Sequence, residues 1–126
     1  MLLVDSNVWI AWLVPSDSLH NRATAALEEL IEKGANIAMS DHILAEVSTV
    51  LLYDEGREAA NKFLELALGN QQLKIHTLSA TEVREISEKF KKSSRKLSFT
   101  DEVLRFLSDK YGYTLLTYDA DLAKAK

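Results

Sequence analysis

The chain opens Leu2-Leu3-Val4-Asp5-Ser6-Asn7, and the rest of the sequence is read outward from this stretch. Three apolar residues run into an acid, a serine and an amide. A helical apolar pattern, Val8-Trp9-Ile10-Ala11-Trp12-Leu13-Val14, follows at once. Leu2 to Val4 is too apolar to face water on either side, so it reads as a short buried parallel strand. Asp5 then stands at the strand's carboxyl end, where open α/β sheets place their ligand sites. An aspartate there can equally be a plain helix cap, and the stretch alone leaves both roles open.

The remaining chain alternates helices and strands. A helix from about Asn7 to Leu13 stops before Pro15. Trp9 and Trp12 share one face of it, as core or as a dimer surface. A second helix covers about Ser18 to Lys33, with Gly34 as its C′ residue and His20 as a structural or surface histidine. Asn36 to Met39 is a strand. Ser40 caps a helix to about Glu55 whose stripe is Ile43, Leu44, Val47, Val50 and Leu51, with Glu46 at the rim. Another helix runs from Arg57 to Leu68, and Gln72 to Thr77 alternates as a strand.

Ser79-Ala80-Thr81-Glu82 is a capping-box signature, and the helix it opens should turn Val83, Ile86 and Phe90 inward. That helix ends in the basic run Lys89 to Lys96, which serves helix-dipole compensation or contacts phosphate beside a site. Ser98-Phe99-Thr100-Asp101 opens the next helix, with Asp101 at a position where a carboxylate stabilises a helix without any functional role. Thr114 to Thr117 is the last strand, and Asp119 begins a short final helix. The pattern predicts a parallel sheet with helices on both faces. All four glycines fall at helix ends, so no phosphate-cradling loop is present.

With 126 residues, 47% hydrophobic and 27% charged, the chain matches one ordinary soluble domain with one core. A net charge of −4 argues against nucleic-acid binding by bulk positive charge. Recruitment of phosphate through bound metal stays open. The absence of cysteine excludes a disulfide framework and a thiolate zinc site, and fits a reducing cytoplasm. The apolar N-terminus has no basic region and contains Asp5, so it does not read as a signal peptide. No apolar run is long enough for a membrane span.

Four acids carry the candidate chemistry. Asp5 and Asp119 lie at strand carboxyl ends, Asp101 in a first helical turn, and Glu46 at a helix rim. In a doubly wound sheet, strands one and four can be neighbours at the switch point, which would gather these acids. Carboxylates in one cleft repel unless a cation is present, and hard oxygen donors select Mg²⁺ or Mn²⁺. A metal so held binds substrate phosphate and lowers the pKa of a bound water. The sequence has no G-x-S-x-G, no cysteine and no H-E-x-x-H to support another hydrolytic apparatus.

These pieces resemble the PIN-domain family, and most closely the VapC-type toxin ribonucleases of type II toxin–antitoxin systems. The resemblance rests on Leu3-Val4-Asp5-Ser6-Asn7-Val8, on Ser40 followed by Leu44-Ala45-Glu46-Val47, on Leu97-Ser98-Phe99-Thr100-Asp101, and on Leu115-Leu116-Thr117-Tyr118-Asp119-Ala120-Asp121. It implies a PIN-like three-layer α/β/α sandwich, formed by one domain over residues 1–126. It further implies that Asp5, Glu46, Asp101 and Asp119 are catalytic and coordinate one or two Mg²⁺ or Mn²⁺ ions. Thr117 would orient the cluster, with Asn7 and Asp121 in supporting positions. The implied activity is endonucleolytic hydrolysis of RNA phosphodiesters. The implied partners are an RNA substrate, a small antitoxin protein and a second copy of the chain in a homodimer, with no membrane.

Two features depart from the family pattern. Glu102 stands where members carry a small residue, so it either adds surface charge or crowds the site. The chain also stops soon after Asp119, whereas many relatives continue into a fifth, edge strand. Four parallel strands are therefore expected, in the order 3-2-1-4 that the resemblance implies, with a fifth left open. Two other readings compete. A haloacid-dehalogenase-like phosphatase would use Asp5 as nucleophile but needs a second aspartate two residues on, where this chain has Asn7. A catalytically silent PIN-like module that binds RNA or protein would have lost one of the acids, and none is lost.

Overall fold

The computed structural model describes residues 1–124. The chain runs β1 (Leu2–Val4), α1 (Ser6–Leu13), α2 (His20–Glu32), β2 (Ile37–Ser40), α3 (Asp41–Asp54), α4 (Arg57–Gly69), β3 (Leu73–His76), α5 (Ala80–Lys92), α6 (Phe99–Tyr111), β4 (Thr114–Leu116) and α7 (Ala120–Lys124). The four strands form one sheet in the order β3-β2-β1-β4, and all three pairings are parallel. The architecture is the expected α/β/α sandwich with four strands among the described residues.

The burial of each strand matches its place in the sheet. β2 lies inside the sheet, and all four of its residues are buried. Leu3 and Val4 of β1 are completely buried, as a strand paired on both sides and covered on both faces must be. β3 is an edge strand, and only its Lys74 is fully exposed. From β1 the chain crosses to β2 on one side and later returns to β4 on the other. β1 and β4 are therefore neighbours across the point where the winding reverses, in register Leu3 to Leu115 and Val4 to Leu116. The N–H of Asp5 donates to the carbonyl of Leu116 at 2.9 Å, which carries the pairing one residue past the strand.

The core joins both ends of the sequence. Trp9 is buried, with its ring centroid 5.8 Å from that of Trp12 and 6.1 Å from that of Phe63. Its burial makes it core, while Trp12 is half-buried. His20 is structural: its ring Nδ1 lies 2.9 Å from the carbonyl of Ala11 and joins α2 to α1. Gly34 and Gly112 follow α2 and α6 with φ of 76° and 71°, a left-handed conformation that favours glycine.

Three local expectations are corrected. Ser40 occupies the N-cap position of α3, but its hydroxyl does not cap; it is bonded to the His42 ring instead. On α5 only Ile86 of the three apolar positions is buried. Val83 and Phe90 are exposed, and Phe90 packs at the surface against Phe99 with ring centroids 5.7 Å apart. The second helix begins at His20, not Ser18, because Asp17 Oδ1 accepts from the N–H of Leu19 in a turn that precedes it.

Candidate active site

Three of the four acids stand at helix N-termini near the carboxyl edge of β1 and β4, and each caps its own helix. Asp5 is the N-cap of α1: its Oδ1 accepts from the Ser6 N–H at 2.7 Å. Asp101 completes a reciprocal capping box on α6. Its N–H donates to Ser98 Oγ and its Oδ2 accepts from the Ser98 N–H, both at 3.1 Å. Asp119 Oδ1 accepts from the N–H groups of Asp121 and Leu122 at 2.9 and 3.1 Å, opening α7. The structural roles are thus real, but they do not exhaust the groups. A carboxylate has about four acceptor positions, and a helix N-terminus tolerates negative charge because of its partial positive charge.

Thr117 joins two of these acids. Its hydroxyl donates to Asp5 Oδ2 at 2.8 Å and accepts from the Asp119 N–H at 3.0 Å. Asn7 fixes the same loop from α1, its Oδ1 accepting from the Tyr118 N–H at 3.2 Å. One hydroxyl and one amide therefore bind the turn after β4 to the turn after β1.

Asp5 is only 6% exposed. Burial pushes its carboxyl pKa up, the hydrogen bonds from Thr117 and Ser6 pull it down, and the negative charge of Asp101 pushes it up again, with a net rise. Asp101 is thus close enough for its charge to be felt at Asp5. Glu46 is different: it is exposed on α3 and hydrogen-bonds to none of the other three among the described residues. As placed, no three acid, histidine or cysteine side chains among the described residues are close enough together to hold one metal ion. Asp5, Asp101 and Asp119 come together in a loose group with Thr117 between two of them, and Glu46 is exposed on α3.

Glu102 neither adds surface charge nor joins the acids. It is 3% exposed, accepts from Arg105 Nη1 at 3.3 and 3.4 Å, and lines a cavity in the seam between α5 and α6 with Lys89 and Phe106. Asp121 shares a cleft with Arg95, Lys96, Leu97 and Lys124.

Two contacts near the site were not read from the sequence. The fully buried Ser40, at the carboxyl end of β2, has its hydroxyl 2.7 Å from His42 Nδ1. Burial pushes the pKa of His42 down, partly offset by Asp41. Arg22 of α2 places its guanidinium carbon 4.7 Å from the centroid of the Tyr118 ring. The first pair is two residues apart and could have been suspected from spacing. The second depends wholly on how α2 packs.

A parallel sheet with a switch point and aspartates along its carboxyl edge defines an α/β protein of the type suspected from the motifs. The PIN domain family model matches residues 2–126, and the chain belongs to that family. Among solved structures it is similar to VapC20 from Mycobacterium tuberculosis, a toxin described as cleaving the sarcin–ricin loop. Identity is 23% over 99% of this chain and 95% of that one, with a TM-score of 0.85. It is also similar to FitAcB from Neisseria gonorrhoeae, at 20% identity over 99% of this chain and 92% of that one, with a TM-score of 0.70. No curated protein sequence matches the chain at a significant level. Among the described residues, no helix is long and apolar enough to cross a membrane.

Proposed function

We propose that this chain is a metal-dependent endoribonuclease that hydrolyses RNA phosphodiesters and acts as the toxin of a type II toxin–antitoxin pair. The observation that carries the proposal is the Thr117 hydroxyl, which couples buried Asp5 to Asp119 while Asp101 raises the negative potential at Asp5. An all-oxygen donor set whose charges repel is suited to a hard divalent cation. Asp5, Asp101 and Asp119 would hold Mg²⁺ or Mn²⁺, one ion or two, with Glu46 as the fourth ligand from α3. When bound there, such an ion would supply a water of lowered pKa and offset charge at phosphorus.

The chain's own residues prepare that site. Thr117 holds the Asp5 carboxylate in one orientation and fixes the turn that carries Asp119. Asn7 fixes the same turn through the Tyr118 N–H. The N-termini of α1, α6 and α7 offset part of the repulsion among the acids. The substrate class draws support from VapC20, described as cleaving the sarcin–ricin loop. The motif likeness to VapC-type toxins supports a small antitoxin as partner, a homodimer and a cytoplasmic setting.

A specific observation favours a second reading, a PIN-like module that binds without cleaving: no three acid, histidine or cysteine side chains among the described residues are close enough together to hold one metal ion. Cleavage of a mixed single-stranded RNA pool with Mn²⁺ separates the two, comparing the natural chain with Asp101→Asn. Asparagine can keep the bond with Ser98, so the fold should survive. The ribonuclease proposal expects a loss of about 100-fold or more, beyond the ~10–100-fold typical of a residue that only supports a metal ligand. Equal cleavage by both proteins would remove Asp101 from the chemistry and sink the proposal.

A further inference from the structure

A chain of net charge −4 whose candidate site is itself a group of carboxylates repels a polyanion. A phosphodiester can settle there only where cations stand beside the acids, and two sets of cations do. The first lines a cleft of about 430 Å³ formed by Arg95, Lys96, Leu97, Asp121 and Lys124. This cleft adjoins the acids through the backbone at both walls. Leu97 directly precedes Ser98, which holds Asp101 in its capping box. Asp121 donates its N–H to Asp119. Arg95, Lys96 and Lys124 are exposed, and none forms an ion pair among the described residues, even with Asp121 in the same cleft.

The second cation is Arg22. Its guanidinium lies over the ring of Tyr118, the residue between Thr117 and Asp119. Tyr118 is fixed in turn by the bond from its N–H to Asn7. Arg22 is exposed and also forms no ion pair among the described residues. Stacking occupies the flat face of a guanidinium and leaves its N–H edge free for the bidentate contact that phosphate favours. The two sets flank Asp119 along the chain, Arg22 over Tyr118 in the turn after β4 and the cleft at Asp121 in the first turn of α7.

We infer that Arg22 and the Arg95–Lys96–Lys124 cleft form one substrate-positioning track, which grips phosphates of a single-stranded RNA on both sides of the acid group. The inference rests on the ribonuclease proposal for its substrate. It goes further in naming the residues that lay the strand across the site. It also accounts for how an acidic protein would hold RNA: the cations are few and local, and they flank the acids.

The test is fluorescence anisotropy of a labelled single-stranded RNA of mixed sequence in Mg²⁺ buffer, with the full chain carrying Asp101→Asn so that it does not cleave. On that background, Arg95→Ala with Lys96→Ala should weaken binding by about tenfold. The slope of log affinity against log salt should fall by ~0.7 for each phosphate no longer neutralised. Arg22→Ala should lower the slope by one such step, and Arg22→Lys should restore most of it by keeping the charge. In the cleaving protein the same variants should raise KM with kcat within about twofold. Unaltered affinity and salt slope in the variants, or no RNA binding by the parent, would overturn the track and leave the cleft to an acidic protein partner. Cleavage by the natural chain with variant-insensitive binding removes the track and keeps the enzyme. Variant-sensitive binding without cleavage keeps the track and removes the enzyme.

Discussion

Two buried carboxylates in this fold have opposite electrostatic fates. Asp5 is 6% exposed and Glu82 is 4% exposed. The pKa of Asp5 is pushed up, by burial first and by Asp101 in addition. That of Glu82 is pulled down to about 2, by the Ser79 N–H first and then by the Tyr111 hydroxyl, with Lys110 and His76 adding to it. Glu82 accepts from Ser79 N at 3.0 Å, Tyr111 Oη at 2.7 Å and Lys110 Nζ at 3.3 Å, and lies 3.4 Å from His76 Nε2. Every nearby partner of Glu82 favours its charge. Asp5 has hydrogen bonds too, but the charge that acts on it is that of another acid, Asp101. Burial alone therefore does not mark a functional acid. An acid left short of positive charge has a reason to bind a cation, and an acid with its charge matched within the fold is a structural tie.

If that contrast holds, substitutions at the two acids should have opposite effects on stability. Glu82→Gln removes the charge on which the ties to α6 depend. The loss of charge-assisted hydrogen bonds should cost about 2 kcal/mol, or roughly 8 °C in Tm for a chain of this size. RNA cleavage below the melting range should be unaffected. A thermal melt and a cleavage assay on the same preparation check both halves. An unchanged Tm would show that the Glu82 cluster contributes nothing to stability.

The Glu82 stabilisation should also titrate. Its pKa in the folded chain, about 2, lies below the ordinary 4.5. The contribution is therefore complete above pH 4.5 and is lost as pH falls toward 2. The Tm gap between the natural chain and Glu82→Gln should close over that range. A gap constant down to pH 2 would mean that ionisation of Glu82 is not what stabilises.

Asp5 should give the smallest shift, with the reverse sign. Its folded pKa is raised above 3.8. Any stabilisation it gives is complete below pH 3.8 and is lost as pH rises through the folded value, so at neutral pH the ionised group is held at a cost. Asp5→Asn should raise the metal-free Tm at pH 7 by a few degrees. Mn²⁺ at a hundred times its dissociation constant should stabilise the natural chain by about 2.7 kcal/mol, and this gain should be lost in the variant. A metal-free Tm that falls in Asp5→Asn would place the carboxylate with Glu82, as a structural group.

The motifs at Asp5, Asp101 and Asp119 were legible because each lies in a local signal: a strand end, a capping box or a helix start. Those signals could not say whether a cap was also a site residue, since the same atoms serve both. Glu46 was assigned to the site from its place at a helix rim and from the family pattern, and the fold leaves it exposed. Glu82 was legible only as a capping glutamate. Its capping box formed, but its partners Lys110 and Tyr111 come from another helix and left no mark near it in the sequence. Val83 and Phe90 misled because a helical stripe shows which residues share a face, not whether a neighbour covers it.

The sequence by itself determined the order of strands and helices, the parallel character of the sheet, the capping boxes of α5 and α6 and the aspartates at strand ends. These are set by interactions within about four residues and by apolar periodicity. Only the tertiary structure decided which of those residues meet. Thr117 reaches Asp5 across 112 positions because β4 pairs beside β1. Arg22 reaches Tyr118, and Lys110 and Tyr111 reach Glu82, because helices pack. Strand order and helix packing are properties of the whole core, and no short stretch of the chain encodes them alone.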